Sequence, residues 1–462
     1  MPDDHITYRY PAPSAFRPAP DGRSLYLAPF TEGETVDEDC LFFGRLLNPE
    51  ITARCLTTLS GVVRSRFTLS PETIAAMHDP IVSAGSGTVR FEGFSGCAGI
   101  YARVDVLPEA LDGEFSVRGG TTNVDFNSLM LASLGGVRQR DTVLLSVGSK
   151  DVAFGFDSGT VVERKVPLPE RWLKGLTSVQ AYLAGAEPFA EIGRVQALKL
   201  FQGIPRGKLK GDFYLTRRGG APVLAPLAAS GGVAIGGVNR LLLLEPLLAH
   251  ADCLKIFAHP TGSATTWQLY FGNVRFSFSL SREPYRGFSG EGAGLDDLVR
   301  APAPEAIDAL DSLCLANQTF GRDAARDCGI DWPDAATGSR SPEPGLAAMG
   351  LLGYDLDGRA YFYRKLPYSP ARMLALNPRL KNALKLVADG KVEITYKPDG
   401  AIEGHVPGSG VRHTVLLEAG AARCTCAWTG KYGNTRGSCK HILAVRKLVR
   451  ETDGRGPDDP VQ

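Results

Sequence analysis

The segment Cys424-Thr425-Cys426, followed after twelve residues by Cys439-Lys440-His441, decides the prediction for this chain. Three thiols and one imidazole are the soft and borderline ligands that Zn²⁺ takes in a tetrahedron. A C-x-C pair at a strand end turns both sulfurs toward one point, and the second pair stands where a loop enters a helix. The glycine-rich stretch between them suits a loop that bends back. We therefore predict one Zn²⁺ bound by Cys424, Cys426, Cys439 and His441.

This predicted metal is structural. Three thiolates and one neutral imidazole fill all four positions of the tetrahedron, so none remains for an activated water. An iron–sulfur cluster would favour a fourth cysteine. His405 and His413 lie on neighbouring predicted strands, and either remains an alternative to His441 as the nitrogen ligand.

The order of elements around the ligands adds a resemblance. Strands, C-x-C, a variable loop, C-x-H and a helix, over residues 395–450, resemble the SWIM-type zinc finger. The resemblance implies zinc binding and contacts to DNA or to proteins. The rest of the chain, including Gly119–Asp125 (GGTTNVD), is similar to bacterial proteins described as SWIM zinc finger family members. Those proteins resemble companions of MoxR-type ATPases and von Willebrand factor A proteins, which implies a protein partner of that kind.

Composition places the chain among ordinary globular proteins. Of its 462 residues, 44% are hydrophobic and 22% charged, which excludes a wholly disordered chain. The 51 Lys and Arg against 50 Asp and Glu give a net charge of +1, which excludes a uniformly basic coat for nucleic acid. The 53 Gly and 31 Pro indicate many turns and short strands. Nine cysteines without a secretory signal argue against a disulfide framework and for a cytoplasmic protein.

The predicted fold class is α+β: two β-rich N-terminal units with short helices, then a ββα-like SWIM zinc-finger domain. The boundaries are an irregular N-terminal arm (1–40), an N-terminal α+β unit (41–190), a second β-rich unit (191–295), an acidic connector (296–344) and a C-terminal domain (345–462) that holds the finger. The connector is predicted from its ten acidic residues against four arginines between 296 and 343, a net charge of −6.

A short internal echo links the two N-terminal units. Val89-Arg90-Phe91 precedes a GFSG segment at 93–96, and Val274-Arg275-Phe276 precedes another at 287–290. The spacings differ by nine residues, so a duplication would require an insertion. Chance or a shared turn geometry would also explain the echo.

A basic face is the second functional signal. From Arg423 to Arg450 the chain has seven basic residues and no Asp or Glu. Helical spacing places Arg446 and Arg450 on one face, and Trp428 and Tyr432 could stack on bases. The candidate residues for contact with nucleic acid or a partner are Arg423, Trp428, Lys431, Tyr432, Arg436, Lys440, Arg446, Lys447 and Arg450. The first hypothesis is therefore a non-enzymatic zinc-binding protein whose finger presents a basic face to DNA or RNA.

Other interpretations stay open. The finger could brace the C-terminal domain of a protein-interaction adaptor, the basic helix could dock on the acidic connector of its own chain, or its charges could simply face water. An enzyme would need a site in residues 41–300, and no catalytic residue, small-molecule site or membrane-spanning segment is predicted. Gly203–Lys208 lacks the spacing of a phosphate loop, and neither GFSG segment has the fifth glycine of a nucleophile elbow.

Overall fold

The computed structural model describes residues 15–19, 22–26, 40–65, 80–116, 119–124, 126–157, 159–165, 170–207, 211–283, 287–290, 292, 294–317, 322–330, 342–364, 366, 374, 376–418, 421–433 and 436–453. Its first strands are β1 (Ala15–Ala19), β2 (Gly22–Tyr26), β3 (Cys40–Leu46), β4 (Ile81–Gly85), β5 (Thr88–Phe94), β6 (Ile100–Val106), β7 (Leu111–Phe115), β8 (Gly120–Asn123), β9 (Leu144–Gly148), β10 (Asp151–Phe156) and β11 (Gly159–Arg164). The middle strands are β12 (Glu187–Gly193), β13 (Phe213–Arg218), β14 (Ala221–Ala225), β15 (Val233–Ile235), β16 (Cys253–Ala258), β17 (Ala264–Phe271) and β18 (Val274–Ser281). The last are β19 (Leu352–Asp355), β20 (Ala360–Tyr363), β21 (Glu393–Tyr396), β22 (Ile402–Pro407), β23 (Arg412–Glu418) and β24 (Ala421–Cys424).

The helices are mostly short. They are α1 (Pro49–Arg64), α2 (Ser128–Gly136), α3 (Glu170–Ala184), α4 (Arg194–Gln202), α5 (Glu245–Leu248), α6 (Gly287–Gly290), α7 (Leu295–Arg300), α8 (Pro304–Asn317), α9 (Arg322–Asp327), α10 (Glu343–Ala348), α11 (Pro378–Ala388), α12 (Ala427–Tyr432) and α13 (Lys440–Asp453). Single 3₁₀ segments occur at Pro108–Ala110 and Val238–Leu244. Among the described residues, no helix combines the length and the apolar character needed to cross a bilayer.

One eight-stranded antiparallel sheet joins the two predicted N-terminal units. Its strand order is β12-β16-β17-β18-β6-β5-β4-β8, and its middle is the pairing of β6 with β18. The prediction of two separate β-rich units is therefore wrong, because strands from both sides of residue 190 share one hydrogen-bonded ladder. The sequence shows that each segment is a strand, but it does not show which distant strand completes the pairing.

Alternation within the strands gives this sheet two unlike faces. In β5, Val89 and Phe91 point to one face, while Arg90 and Glu92 point to the other, as the period of two requires. The apolar face packs against α1, where the missing side chain of Gly93 leaves room for Val63. The polar face is buried too: Arg90 is 7% exposed and Glu92 0%. A polar face of this kind must find its partners within the protein.

The remaining sheets surround this one. A five-stranded sheet has the order β11-β10-β9-β3-β7, and a three-stranded sheet has the order β14-β13-β15. Hairpins form from β1 with β2 and from β19 with β20, and β21-β22-β23-β24 make the C-terminal sheet. This last sheet is followed by α12 and α13, in the order ββββαα. The prediction of a ββα-like finger domain is therefore also wrong.

Buried apolar side chains of the described residues form two cores. The larger core lies around the eight-stranded sheet, and the second lies around the C-terminal sheet. Helices α7, α8 and α10 add Leu298, Leu310 and Leu346 to the second core. The described part of residues 296–344, predicted as an acidic connector, is therefore mostly helical. In the predicted irregular arm, the described residues form the β1–β2 hairpin, and the other residues of 1–39 lie outside the described part.

The internal echo does not mark equivalent positions. Its first VRF copy lies in the second strand of the β4-β5-β6 meander, and its second copy lies in the third strand of β16-β17-β18. The first GFSG copy ends β5 and enters a turn, whereas the second forms α6. A shared turn geometry is thus excluded, although the rings of Phe94 and Phe288 lie 6.2 Å apart.

Both arginines of the echo flank the same carboxylate. Asp105 on β6 has Arg90 as its neighbour on β5 and Arg275 as its neighbour on β18. Its oxygens lie 3.3 Å from Arg90 Nε, 3.6 Å from Arg275 Nη2 and 2.9 Å from Arg103 Nε. Asp105 is 0% exposed, and this burial of a carboxylate is offset only because three cations surround it.

The β19–β20 hairpin covers this charged face. Asp355 Oδ2 pairs with Arg275 at 2.8 Å. Arg103 Nη1 donates to the carbonyl oxygen of Tyr354 at 2.9 Å. Burial raises the pKa of Asp355, but the Arg275 hydrogen bond and the nearby Arg103 outweigh it and hold that pKa well below its usual range. The C-terminal part of the chain is thus joined to the N-terminal sheet by ion pairs.

Removing Arg364 tests this interface. Its guanidinium pairs with Glu92, and both side chains are almost fully buried. We expect Arg364→Met to lower the free energy of unfolding by about 3–5 kcal/mol, because it leaves a buried carboxylate unpaired. Denaturant unfolding measures the loss. The matched control is Arg206→Met, which removes an exposed pair with Glu245 and should cost less than about 1 kcal/mol. Equal losses in the two variants would contradict this account.

Acid should weaken the hairpin contact through Asp355. A carboxyl group whose pKa is lowered by folding adds stability above its unfolded pKa, about 3.9, and this stability is lost as the pH falls through the folded value. We expect Asp355→Asn to be less stable at pH 7 and to show a flatter stability profile below about pH 4. The half-exposed pair of Asp112 with Arg45 provides the control, Asp112→Asn. Profiles that run parallel for wild type and Asp355→Asn would exclude this role.

Candidate metal centre

The four predicted ligands come together. The ligand atoms of Cys424, Cys426, Cys439 and His441 all lie within 4.8 Å of one another. His441 Nδ1 is 3.7 Å from Cys424 Sγ and 3.9 Å from Cys439 Sγ. A tetrahedron with Zn–S near 2.3 Å and Zn–N near 2.0 Å needs ligand atoms about 3.5–3.8 Å apart. The two nitrogen–sulfur separations are close to these values.

Secondary structure explains why these side chains converge. Cys424 ends β24, and Cys426 is the residue before α12. Cys439 precedes α13, and His441 lies in the first turn of that helix. The backbone N–H of Ile442 donates to Cys439 Sγ at 3.4 Å. The cluster therefore joins a strand end to a helix start.

Hydrogen bonding within the cluster shifts the pKa values of two of its thiols in opposite directions. A hydrogen bond with Cys424, helped by His441 and the Ile442 N–H, lowers the pKa of the Cys439 thiol far below its usual range. The same hydrogen bond, together with burial, raises the pKa of Cys424. A thiolate is the form of cysteine that binds a metal. Metal binding at the cluster would require the thiols to lose their protons.

The alternative histidines lie outside the ligand group. His405 Nε2 is 3.2 Å from Glu403 Oε1, on the strand face that carries this carboxylate. The His413 ring lies 4.5 Å from the ring of His441, and its Nδ1 is 3.4 Å from Thr425 Oγ1. The group of four that converges within the described residues contains neither histidine.

Sequence reasoning missed the residues that hold the loop before Cys439. Arg379 on α11 donates to the carbonyl oxygens of Arg436 (2.9 Å), Gly437 (3.2 Å) and Ser438 (3.0 Å). Ser438 Oγ in turn donates to Asp296 Oδ2 at 3.0 Å. Arg379 and Asp296 are distant from this loop in the sequence, so no local motif indicates that they contact it.

The predicted aromatic contacts are engaged within the chain. Trp428 is half-buried against the second core, and its indole N–H donates to the Gly437 carbonyl oxygen at 3.3 Å. The Arg379 guanidinium lies 4.4 Å from the Trp428 ring centre, and that of Arg436 lies 4.6 Å from the Tyr432 ring centre. These rings are therefore not free platforms for bases.

Several of the predicted basic contacts are also engaged. Arg446 forms an ion pair with Asp296 and donates to Ser438 Oγ at 3.2 Å. Lys447 lies 3.4 Å from Glu451, one helical turn away. Lys440 and Arg450 are half-buried on α13. Of the nine predicted contact residues only Arg423 and Lys431 are exposed, and Arg423 Nη2 lies 3.8 Å from Glu418 Oε2. Helix α13 thus contacts Asp296, an acidic residue of the predicted connector. This contact is the one expected if the basic helix docks on the connector of its own chain.

Comparisons with known proteins give no family for this chain. No family model and no curated protein matches it. Among solved structures it is similar to the PCNA2–PCNA3 complex from Sulfolobus tokodaii, at TM-score 0.37 and 8% identity, over 52% of this chain and 99% of that one. Proliferating Cellular Nuclear Antigen from Entamoeba histolytica gives TM-score 0.34 and 11% identity, over 52% and 98%. The C. crescentus beta sliding clamp gives 0.36 and 13%, over 54% and 66%.

Proposed function

We propose that this chain binds one structural Zn²⁺ through Cys424, Cys426, Cys439 and His441. The observation that carries the proposal is the convergence of three sulfurs and one imidazole nitrogen within 4.8 Å. Three of the four residues are buried, so the protein and not water would complete the coordination. The bound ion would hold the end of β24 against the start of α13. With all four positions filled by protein, it would offer no site for catalysis.

We further propose that the protein is a non-enzymatic, zinc-braced adaptor that binds a protein partner. The support comes from the basic residues, most of which are paired or half-buried in the chain's own structure. Nucleic acid is the second candidate, and it is favoured only by the exposed Arg423 and Lys431. The sequence resemblance to SWIM-type proteins is compatible with both candidates.

Loss of a ligand tests the metal. We expect purified wild type to contain about one zinc per chain and Cys439→Ser to contain much less, since structural sites in zinc-finger peptides gain about 10–16 kcal/mol from the ion. Proteolysis of Cys439→Ser should cut within 421–453, while fragments of the eight-stranded sheet persist. Elemental analysis and mass spectrometry of the fragments measure both effects.

Cys328→Ser is the matched control, because Cys328 also contacts the second core but lies outside the ligand group. It should keep both the zinc and the wild-type digestion pattern. Purified wild type without stoichiometric metal would overturn the proposal.

Salt dependence separates the two partner classes. With two exposed cations, any nucleic-acid binding should fall with a slope of log K against log[salt] no steeper than about −2, whereas six phosphate contacts would give about −5. We expect the shallow slope, measured by fluorescence anisotropy on duplex DNA. Arg423→Glu/Lys431→Glu should abolish this residual binding, and the charge-matched Arg140→Glu/Arg218→Glu should not. A slope near −5 would favour nucleic acid as the partner and reject the adaptor.

A further inference from the structure

A small polar cavity lies at the end of the charged sheet face, away from the metal cluster. It has a volume of about 10 Å³ and is lined by Ser83, Ala84, Gly85, Ser86, Arg90, Gly119, Gly120, Thr121, Tyr363 and Arg364. Because this is the space open to the centre of a water-sized body, it admits one small occupant. The lining therefore selects a single small occupant.

Three donor groups of the lining lack partners. Ser83 Oγ, Thr121 Oγ1 and Arg364 Nε are buried without a hydrogen-bond partner among the described residues. Ser83 is 6% exposed and Arg364 2%. A buried donor left without a partner costs about 1–3 kcal/mol, so three in one cavity indicate a missing acceptor.

The strand register places two of these donors next to a cation. Thr121 on β8, Ser83 on β4 and Arg90 on β5 are direct cross-strand neighbours in one row. Side chains in such a row have their Cβ atoms about 5 Å apart. Hydroxyl groups and a guanidinium thus reach the same small space.

The charge of the network is not balanced. Four buried arginines (Arg90, Arg103, Arg275 and Arg364) face three carboxylates (Glu92, Asp105 and Asp355). A fourth carboxylate, Asp357, is shared by Lys255 at 2.7 Å and Arg275 at 3.4 Å, so five cations face four carboxylates. Arg90 is the arginine with the weakest ionic partner, because it shares Asp105 with two other arginines and its guanidinium otherwise lies 3.8 Å from the Phe362 ring centre. Burial accordingly lowers the pKa of Arg90 to about 10.

We propose that this cavity binds one small inorganic anion of halide size, held by Ser83, Thr121, Arg90 and Arg364. The anion would accept the three unused hydrogen bonds and neutralise the excess cation, and it would fasten the β19–β20 hairpin to the sheet. A water molecule would satisfy the donors but not the charge. This site is independent of the zinc proposal.

The test uses the full-length protein with chloride or bromide replacing gluconate at constant ionic strength. We expect the thermal unfolding midpoint to rise saturably, by about 1 °C or more, as the halide concentration increases. Thr121→Val and Ser83→Ala should each lose most of this rise. Thr52→Val is the matched control, because Thr52 Oγ1 is also buried without a partner but lies outside the cavity lining.

Bromide-soaked crystals would locate the ion directly by its anomalous signal. A peak between Ser83 and Arg364 supports the proposal, and only a water at that place overturns it. A halide effect that is absent, linear in concentration, or unchanged in Thr121→Val overturns it as well. Stabilisation by inorganic phosphate but not by halide would reject the assigned size.

Discussion

Asp105 is the residue on which the packing of the β19–β20 hairpin against the eight-stranded sheet depends. A fully buried carboxylate in the middle strand of a sheet is tolerated only if cations surround it. Arg90 and Arg275 approach it from the two flanking strands, and Arg103 from its own strand. Three cations around one anion then require further negative charge, which the β19–β20 hairpin supplies through Asp355. The charged sheet face therefore fixes where the C-terminal part of the chain must pack.

The metal cluster depends on a different and more local set of contacts. Arg379 binds three carbonyl oxygens of the loop before Cys439, and Asp296 binds Ser438 and Arg446. These contacts hold the loop against helices α7 and α11. The conformation of the loop is therefore supported by protein contacts alone, without a bound ion. What remains for an ion is the junction between β24 and α13, where the four ligand side chains meet. This junction is part of the second core, which includes Cys426 and Cys439.

The sequence predicts those features of the structure that are determined by residues close together in the chain. The spacing predicted that four side chains would meet, and their donor atoms do lie within 4.8 Å of one another, because C-x-C and C-x-H each bring two donors together within a few residues. The strands β5, β6 and β18 also follow from alternation. Their pairing does not, since β6 and β18 are separated by more than 160 residues. In an alternating strand the polar face ordinarily faces water. The residue types Arg90 and Glu92 therefore do not indicate that the polar face of β5 is buried. Arg446 and Asp296 are likewise 150 residues apart.

Charge counted along the sequence overstates the charge available at the surface. The span from Arg423 to Arg450 contains no acid, yet Arg423 and Lys447 pair with Glu418 and Glu451 just outside it, and Arg446 pairs with the distant Asp296. For Arg446 to reach a phosphate, its ion pair with Asp296 would have to break, leaving a half-buried carboxylate without its partner. The phosphate contact would have to exceed that cost before it added any affinity. A protein partner recognised by shape would need no such exchange.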